Sequence, residues 1–239
     1  MKRTKIITAA AGVVFAAAMI AATFYLGGPF LSDQKAKSLN DDMHLLELYE
    51  KNKDLRGWIL VEGTNIDYPV MNSEYYLDRA FDGKYDAAGC PFLSEGWKSD
   101  DAFTLIYGHN MRYYKTMFNG LEKFTQRQFF EKGRRITFYA ICEGEKPYVE
   151  KRTYLPFCAA RTSVDTWNYW HFAGKDENDV FIRQADEKSE NFIYPQNSGD
   201  ILVLSTCSYH VRGKKGRLIV CGELLKKEIS EYGKTESAK

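Results

Sequence analysis

Residues 201–225, ILVLSTCSYHVRGKKGRLIVCGELL, put a thiol where one apolar run ends and a guanidinium where the next begins. The first run closes on Cys207, and the second opens at Arg217 after a basic, Gly-containing loop. Strand side chains alternate between faces. Ile201, Val203, Ser205 and Cys207 therefore share one face, and Arg217, Ile219 and Cys221 share one face of the next strand. Paired as a hairpin, the two runs bring the thiol of Cys207 near the cation of Arg217. A thiol beside a fixed cation carries more of the nucleophilic thiolate, and a guanidinium can steady an oxyanion. Such chemistry also needs a proton carrier. Four histidines are available, His44, His109, His171 and His210. His109 follows a strong strand pattern, FTLIY at 103–107, broken by Gly108, so it stands at a strand mouth. His210 is the rival, three residues from Cys207. His44 falls on a helix and His171 in an aromatic cluster, and both suit structural roles.

The elements that must position these groups come from the rest of the chain. With 239 residues there is room for a membrane anchor and one domain with a full core. Lys and Arg total 33 against 32 Asp and Glu, a net charge of +1, so no bulk field points to nucleic acid. Sixteen Tyr and fifteen Phe suit a β-rich domain. The five cysteines, at 90, 142, 158, 207 and 221, are an odd number and include no C-x-x-C. Cys207, His210 and Cys221 fall short of the four ligands a structural zinc needs, so no metal is expected.

Lys2, Arg3 and Lys5 precede an uncharged apolar run over 6–26, long enough to cross a bilayer as a helix. The positive flank predicts residues 1–5 inside and the body outside. The run exceeds the apolar core of a signal peptide, which favours a retained anchor over a cleaved leader. A polar linker spans 27–40. Asn40 or Asp41 caps a helix to about Asn52, with Leu45, Leu46, Leu48 and Tyr49 as its apolar stripe. Short strands follow at 58–61 and 65–70, a short helix or turn at 75–81, and an irregular strand at 87–93 in which Cys90 is a small buried hydrophobe. The spacing of Met117, Leu121 and Phe124 predicts a helix over 116–130. Strands follow at 136–142 and 149–157. Residues 162–198 form a long insertion holding the cluster TWNYWHF and a helix marked by Val180, Phe181, Ile182 and Ala185. The charged tail after Lys226 is expected to fray.

Three motifs carry a family resemblance. VLSTC at 203–207, YGHNM at 107–111 and GRLIV at 216–220 resemble the Cys, His and Arg motifs of sortases, in the family's chain order. GWILVEGTNIDYPV at 57–70 is similar to the opening of the class B sortase barrel, and the likeness runs over about 45–225. The chain departs from the family at Val203, where the motif has Thr, and at Ser208, where many class B members carry an acid. No aromatic-plus-Asp lid of the pilin-polymerising class is evident.

The resemblance implies a mostly β fold with added helices: an eight-stranded sortase barrel with an N-terminal helix and a helical insertion before the Cys strand. The catalytic domain would span 41–228 outside a single-pass cell-membrane anchor, with a tail at 229–239. Cys207 would attack the carbonyl of Thr in a sorting motif of the NPxTx, SPxTx or LPxTx type, with His109 as acid and base and Arg217 on the oxyanion. By approximate alignment Leu77, Trp167, Ser205 and Thr206 would contact the substrate. The implied partners are surface proteins with a C-terminal sorting motif and a peptidoglycan amine, and no cofactor is implied. Two other readings share these residues. One is a surface cysteine protease that uses water as acceptor. The other is an anchored, non-enzymatic β-domain with a Cys207–Cys221 disulfide.

Overall fold

The computed structural model describes residues 42–172, 177–197, 199–209 and 215–229, within one compact unit spanning Ser38–Lys239. The expected anchor at 6–26, the linker, the capping Asn40 and Asp41, and His210 lie outside the described residues. Helix α1 (Asp42–Lys51) buries Leu45 and leads into β1 (Leu55–Val61) and β2 (Asp67–Met71). A 3₁₀ helix (Glu74–Asp78) precedes β3 (Phe92–Leu93) and β4 (Phe103–Tyr107). A small hairpin, β5 (Asn110–Met111) and β6 (Thr116–Met117), is followed by a 3₁₀ helix (Phe118–Thr125) and α2 (Arg127–Phe130). Then come β7 (Ile136–Cys142), β8 (Tyr148–Ser163), α3 (Asn178–Lys188), β9 (Asn191–Phe192), β10 (Ile201–Cys207) and β11 (Gly216–Ile229).

Eight strands close in the order β11-β10-β4-β3-β2-β1-β7-β8, with β8 pairing back onto β11 and β9 attached to β8. Pairing is antiparallel except for β2–β3 and β4–β10. This is the expected barrel, and both of its faces are covered near the Cys strand. Leu202 and Leu204 point inward among Ile59, Phe138 and Val220. Ile201 and Val203 point outward under Trp167, Phe181 and Ala185 of the insertion. Burial on both sides explains why ILVL shows no polar alternation.

Several boundaries differ from the sequence expectation. The expected helix over 116–130 is a two-residue strand, a 3₁₀ helix and one turn of α-helix. Met117 sits at φ 52° and a Cβ on Gly120 would come within 2.9 Å of Thr64, so the chain enters this segment bent and tightly packed. Met117, Leu121 and Phe124 are nevertheless buried. Only Phe92–Leu93 of the 87–93 segment is a strand. Strand β8 runs on to Ser163, because Cys158, Ala159 and Ala160 lie against β11; the insertion therefore begins after 163. Pairing continues past Lys226, with Ile229 opposite Glu150.

Candidate active site

The register of the sheet brings three residues into a row. On one side of β10, Cys207 lies opposite Arg217 of β11. The Ser208 amide donates to the Gly216 carbonyl at 3.0 Å, which makes 208/216 a hydrogen-bonded pair. Cys207/Arg217 is therefore a non-hydrogen-bonded pair, the type with Cα atoms about 4.5 Å apart and the closer side chains. On the other side β10 runs parallel to β4, with Ser205 beside Tyr107. The same register, carried two residues further, sets His109 beside Cys207.

That continuation is fixed by specific bonds. The Gly108 amide donates to the Ser205 carbonyl at 3.1 Å, and the Thr206 hydroxyl donates to the Gly108 carbonyl at 2.7 Å. The Asn110 side-chain amide donates to the Cys207 carbonyl at 2.9 Å, and the Phe118 amide donates to the His109 carbonyl at 2.8 Å. Position 108 must be glycine, since a Cβ there would stand 2.8 Å from the Phe118 ring. Cys207 is exposed, although the six residues before it are buried, and His109 is half-buried. A free thiol is thus presented at the exposed end of a buried strand.

A neutral polar floor lies under the row. The Tyr169 hydroxyl, on a residue 1% exposed, pairs with the Ser205 hydroxyl at 2.9 Å. Burial pushes the Tyr169 phenol up, against the opposing pull of Ser205 and the Arg217 guanidinium. Burial likewise pushes Tyr107 up, helped by Tyr169 and opposed by Arg217. Both phenols stay protonated at neutral pH. Arg217 also donates to the Gly216 carbonyl at 2.9 Å. Behind Asn110 runs a polar chain. Asn119 donates to its side-chain oxygen at 2.8 Å, and Asn110 reaches Glu122 at 3.3 Å. Glu122 pairs with Arg161 at 2.8 Å, and Arg161 with Glu190 at 2.7 Å. The Tyr209 hydroxyl donates to the Asn110 carbonyl at 3.0 Å.

Of the residues singled out in the sequence, His109, Cys207 and Arg217 form the row. Ser205 and Thr206 are 1% and 2% exposed, with hydroxyls bonded to Tyr169 and Gly108. Trp167 is 2% exposed and stacks on Phe181 with ring centroids 5.5 Å apart, inside the outer core. Leu77 is half-buried in the 3₁₀ helix Glu74–Asp78, whose first residue, Glu74, helps to raise Tyr107. His171 is exposed beside Trp170, and His44 is exposed near Glu47. All five cysteines are free, and Cys207 alone among them is exposed. Cys221 lies opposite Val203 and Cys158. Four residues of strand put it about 13 Å along from the level of Cys207, beyond disulfide reach, so that pairing is excluded in this fold.

The roles of Asn110 and Tyr169 were not apparent in the sequence. Asn110 had a signal, its place in YGHNM beside His109. Tyr169 had only membership of an aromatic cluster, because its partner lies 36 positions away.

A family model described as a Sortase domain matches residues 59–225. A sortase B of Listeria monocytogenes is 25% identical over 218 residues, covering 83% of this chain and 81% of that protein. A sortase B of Staphylococcus aureus is 25% identical over 182 residues, covering 73% and 72%. The X-ray structure of Clostridium perfringens sortase B superposes with a TM-score of 0.65 at 28% identity, covering 76% of this chain and 99% of that one.

Proposed function

Because the chain belongs to the sortase family, whose members are cysteine transpeptidases, we propose that it cleaves a sorting motif of the NPxTx, SPxTx or LPxTx type after Thr and passes the acyl part to a cell-wall amine. The row Arg217–Cys207–His109 carries this reading. The Cys207 thiolate attacks the Thr carbonyl carbon, and the charge that collects on its oxygen falls beside Arg217. His109 gives a proton to the departing amide nitrogen, the C–N bond breaks, and a thioester remains. An incoming amine adds to that carbon and gives a proton to His109, and the C–S bond breaks to restore the thiolate. Atoms and charge balance, and no cofactor enters these steps.

Leu77, half-buried in the 3₁₀ helix Glu74–Asp78, is the proposed side-chain contact for the motif. Ser205, Thr206 and Trp167 would act through backbone and packing, given how their side chains are used. The apolar run 6–26 is proposed to hold the domain outside the membrane by a single span. Surface proteins with a C-terminal motif are the proposed substrates.

The test uses the full chain in detergent with fluorogenic NPxTx, SPxTx and LPxTx peptides, with and without triglycine as an amine, beside Cys207→Ala. Cleavage after Thr, lost in that variant and diverted to a ligated product by the amine, is expected. Hydrolysis that ignores the amine would instead make this a protease. No cleavage by a reactive Cys207 would defeat both.

A further inference from the structure

Strand β11 closes the barrel by pairing with β8, and that seam holds two thiols face to face. Cys221 lies directly opposite Cys158, in a register that runs unbroken from Gly216 to Cys221. The Val164 amide donates to the Lys215 carbonyl at 3.1 Å. Counted in twos along this register, that bond makes Cys158/Cys221 a hydrogen-bonded pair, the type with Cα atoms about 5.5 Å apart. A disulfide spans Cα separations of roughly 4.4–6.8 Å, with its commonest values close to this one. Both side chains belong to the outer layer, with Phe181, Ile182 and Ala185 of α3. The Cys158 thiol donates to the Ala185 carbonyl at 3.8 Å, and a side-chain hydrogen bond joins Cys158 to Cys221.

The other cysteines are placed differently. Cys142 lies opposite Tyr148, Cys90 precedes β3 outside any strand, and Cys207 faces Arg217. Cys90 and Cys142 are buried as small core side chains. Only in the β8–β11 seam does one cysteine stand across a strand pair from another.

Cys158 and Cys221 are both 0% exposed, and burial pushes the Cys221 thiol up, with Cys158 adding to the rise. In the closed barrel the pair is therefore hidden from reagents and short of thiolate, the attacking form. An oxidant reaches it only while β11 is off β8. The redox state of the chain when the seam shuts is the state it keeps.

We propose that Cys158 and Cys221 are a redox pair, joined by a low-molecular-weight disulfide as the barrel closes, and that the bridge staples the β8–β11 seam. The structure shows the reduced form. In the oxidation, one protein thiolate attacks the small disulfide, a mixed disulfide forms, and one small thiolate leaves. The second protein thiol loses its proton and attacks the protein sulfur of the mixed disulfide, expelling the second small thiolate. Two protein thiols are oxidised, one small disulfide is reduced, and the two protons end on two small thiols. The bridge closes a loop of about 60 residues that includes α3 and the whole of β10, and it removes that loop's freedom from the unfolded chain. None of this depends on the transpeptidase reading.

The test uses the full chain in detergent carrying Cys207→Ala, which removes the exposed thiol that would compete for the oxidant. The chain is unfolded with dithiothreitol, refolded in dithiothreitol or in oxidised glutathione, and alkylated under denaturant. The reduced preparation should take up a label at each of its four cysteines. The oxidised one should be labelled at Cys90 and Cys142 alone, with Cys158 and Cys221 joined in the peptide map. Its Tm should be higher by about 5–15 °C, from the size of the loop and of the domain. That gap should vanish in Cys158→Ala, Cys221→Ala and persist in Cys142→Ala. A second measurement needs no refolding. The folded, reduced chain is held in oxidised glutathione with rising urea, and the bridge should form faster as the unfolding transition is approached. Full labelling after both treatments would overturn the proposal. So would a bridge that uses Cys90 or Cys142, glutathione left on Cys158 and Cys221 in place of a bridge, or a joined chain that melts no higher than the reduced one.

Discussion

Asn110 is the residue whose removal separates positioning from chemistry most cleanly. Its side chain, on a residue 4% exposed, donates to the Cys207 carbonyl at 2.9 Å and accepts from Asn119 at 2.8 Å. A third contact, to Glu122 at 3.3 Å, is too long to add much. Asn110→Ala deletes two good bonds worth about 1 kcal/mol each and strips the Cys207 carbonyl of its amide partner. A loss of about 2–3 kcal/mol follows, or a Tm lower by about 4–10 °C for a domain of this size. Because Asn110 ties the His109 segment to the Cys207 backbone, the variant should also lose about 10- to 100-fold in kcat, with KM for the sorting peptide within about twofold. Asn110→Asp should fare worse, since it turns a carboxylate toward a carbonyl oxygen and toward Glu122. Asn119→Ala is the control: it loses one bond from the far side, about 1 kcal/mol, and leaves the tie to Cys207 intact. Thermal melting and steady-state turnover on the three variants decide the matter. If Asn110→Ala turned over like the parent and melted no lower than Asn119→Ala, the argument that this amide sets the Cys–His geometry would be refuted.

Thr206→Val removes the hydroxyl that holds the Gly108 carbonyl at 2.7 Å. It should lower stability by about 1 kcal/mol and reduce kcat; Thr206→Ser should restore kcat, and equal kcat in Val and Ser would contradict the role given to that bond. An alkylating reagent on the native protein should add a single label, at Cys207, and four more only after unfolding, read by intact mass, because the other cysteines are buried; native labelling of Cys221 would contradict the fold. Burial, with Asp86 and Asp82 nearby, pushes the Cys90 thiol from an ordinary 9.0 up to about 12. The folded chain keeps that proton where the unfolded chain has lost it. The stabilisation is thus complete below about pH 9 and is lost as pH rises toward 12, at about 1.4 kcal/mol per pH unit. Urea unfolding of Cys90→Ala should show an alkaline slope shallower by that one proton, and an unchanged slope would rule out this origin.

What could be recognised in the chain followed how local its physics is. FTLIY at 103–107 and ITFYAIC at 136–142 are strands over the expected residues, because β-branched and aromatic runs bounded by breakers need no distant information. The helix Asn178–Lys188 was visible in the spacing of Phe181, Ile182 and Ala185. The facing of Cys207 and Arg217 followed from alternation within one hairpin. The parallel pairing of β4 with β10 did not, because nothing near either strand specifies a neighbour so far away; the choice of His109 over His210 came from the motif resemblance. The extension of β8 to Ser163 was hidden for a related reason: Cys158, Ala159 and Ala160 are small residues chosen by what covers them, not by strand propensity. The 3₁₀ helix Phe118–Thr125 buries the same stripe an α-helix would, so apolar spacing alone does not tell the two apart.

Strand β10 meets its parallel neighbour across a long gap in the chain, with Thr206 and Gly108 98 positions apart. A chain delivered from its N-terminus exposes the His109 hairpin well before Cys207 exists, and the ring of strands cannot shut until β11 reaches β8. Contacts of such separation form late and make folding slow, since the entropy of closing so large a loop is spent before any pairing repays it. The thiol is therefore born without its companions and gains them in the same event that closes the barrel. The row of Cys207, Arg217 and His109 is a property of the finished ring alone, so a partly emerged chain carries the thiol without the arrangement around it.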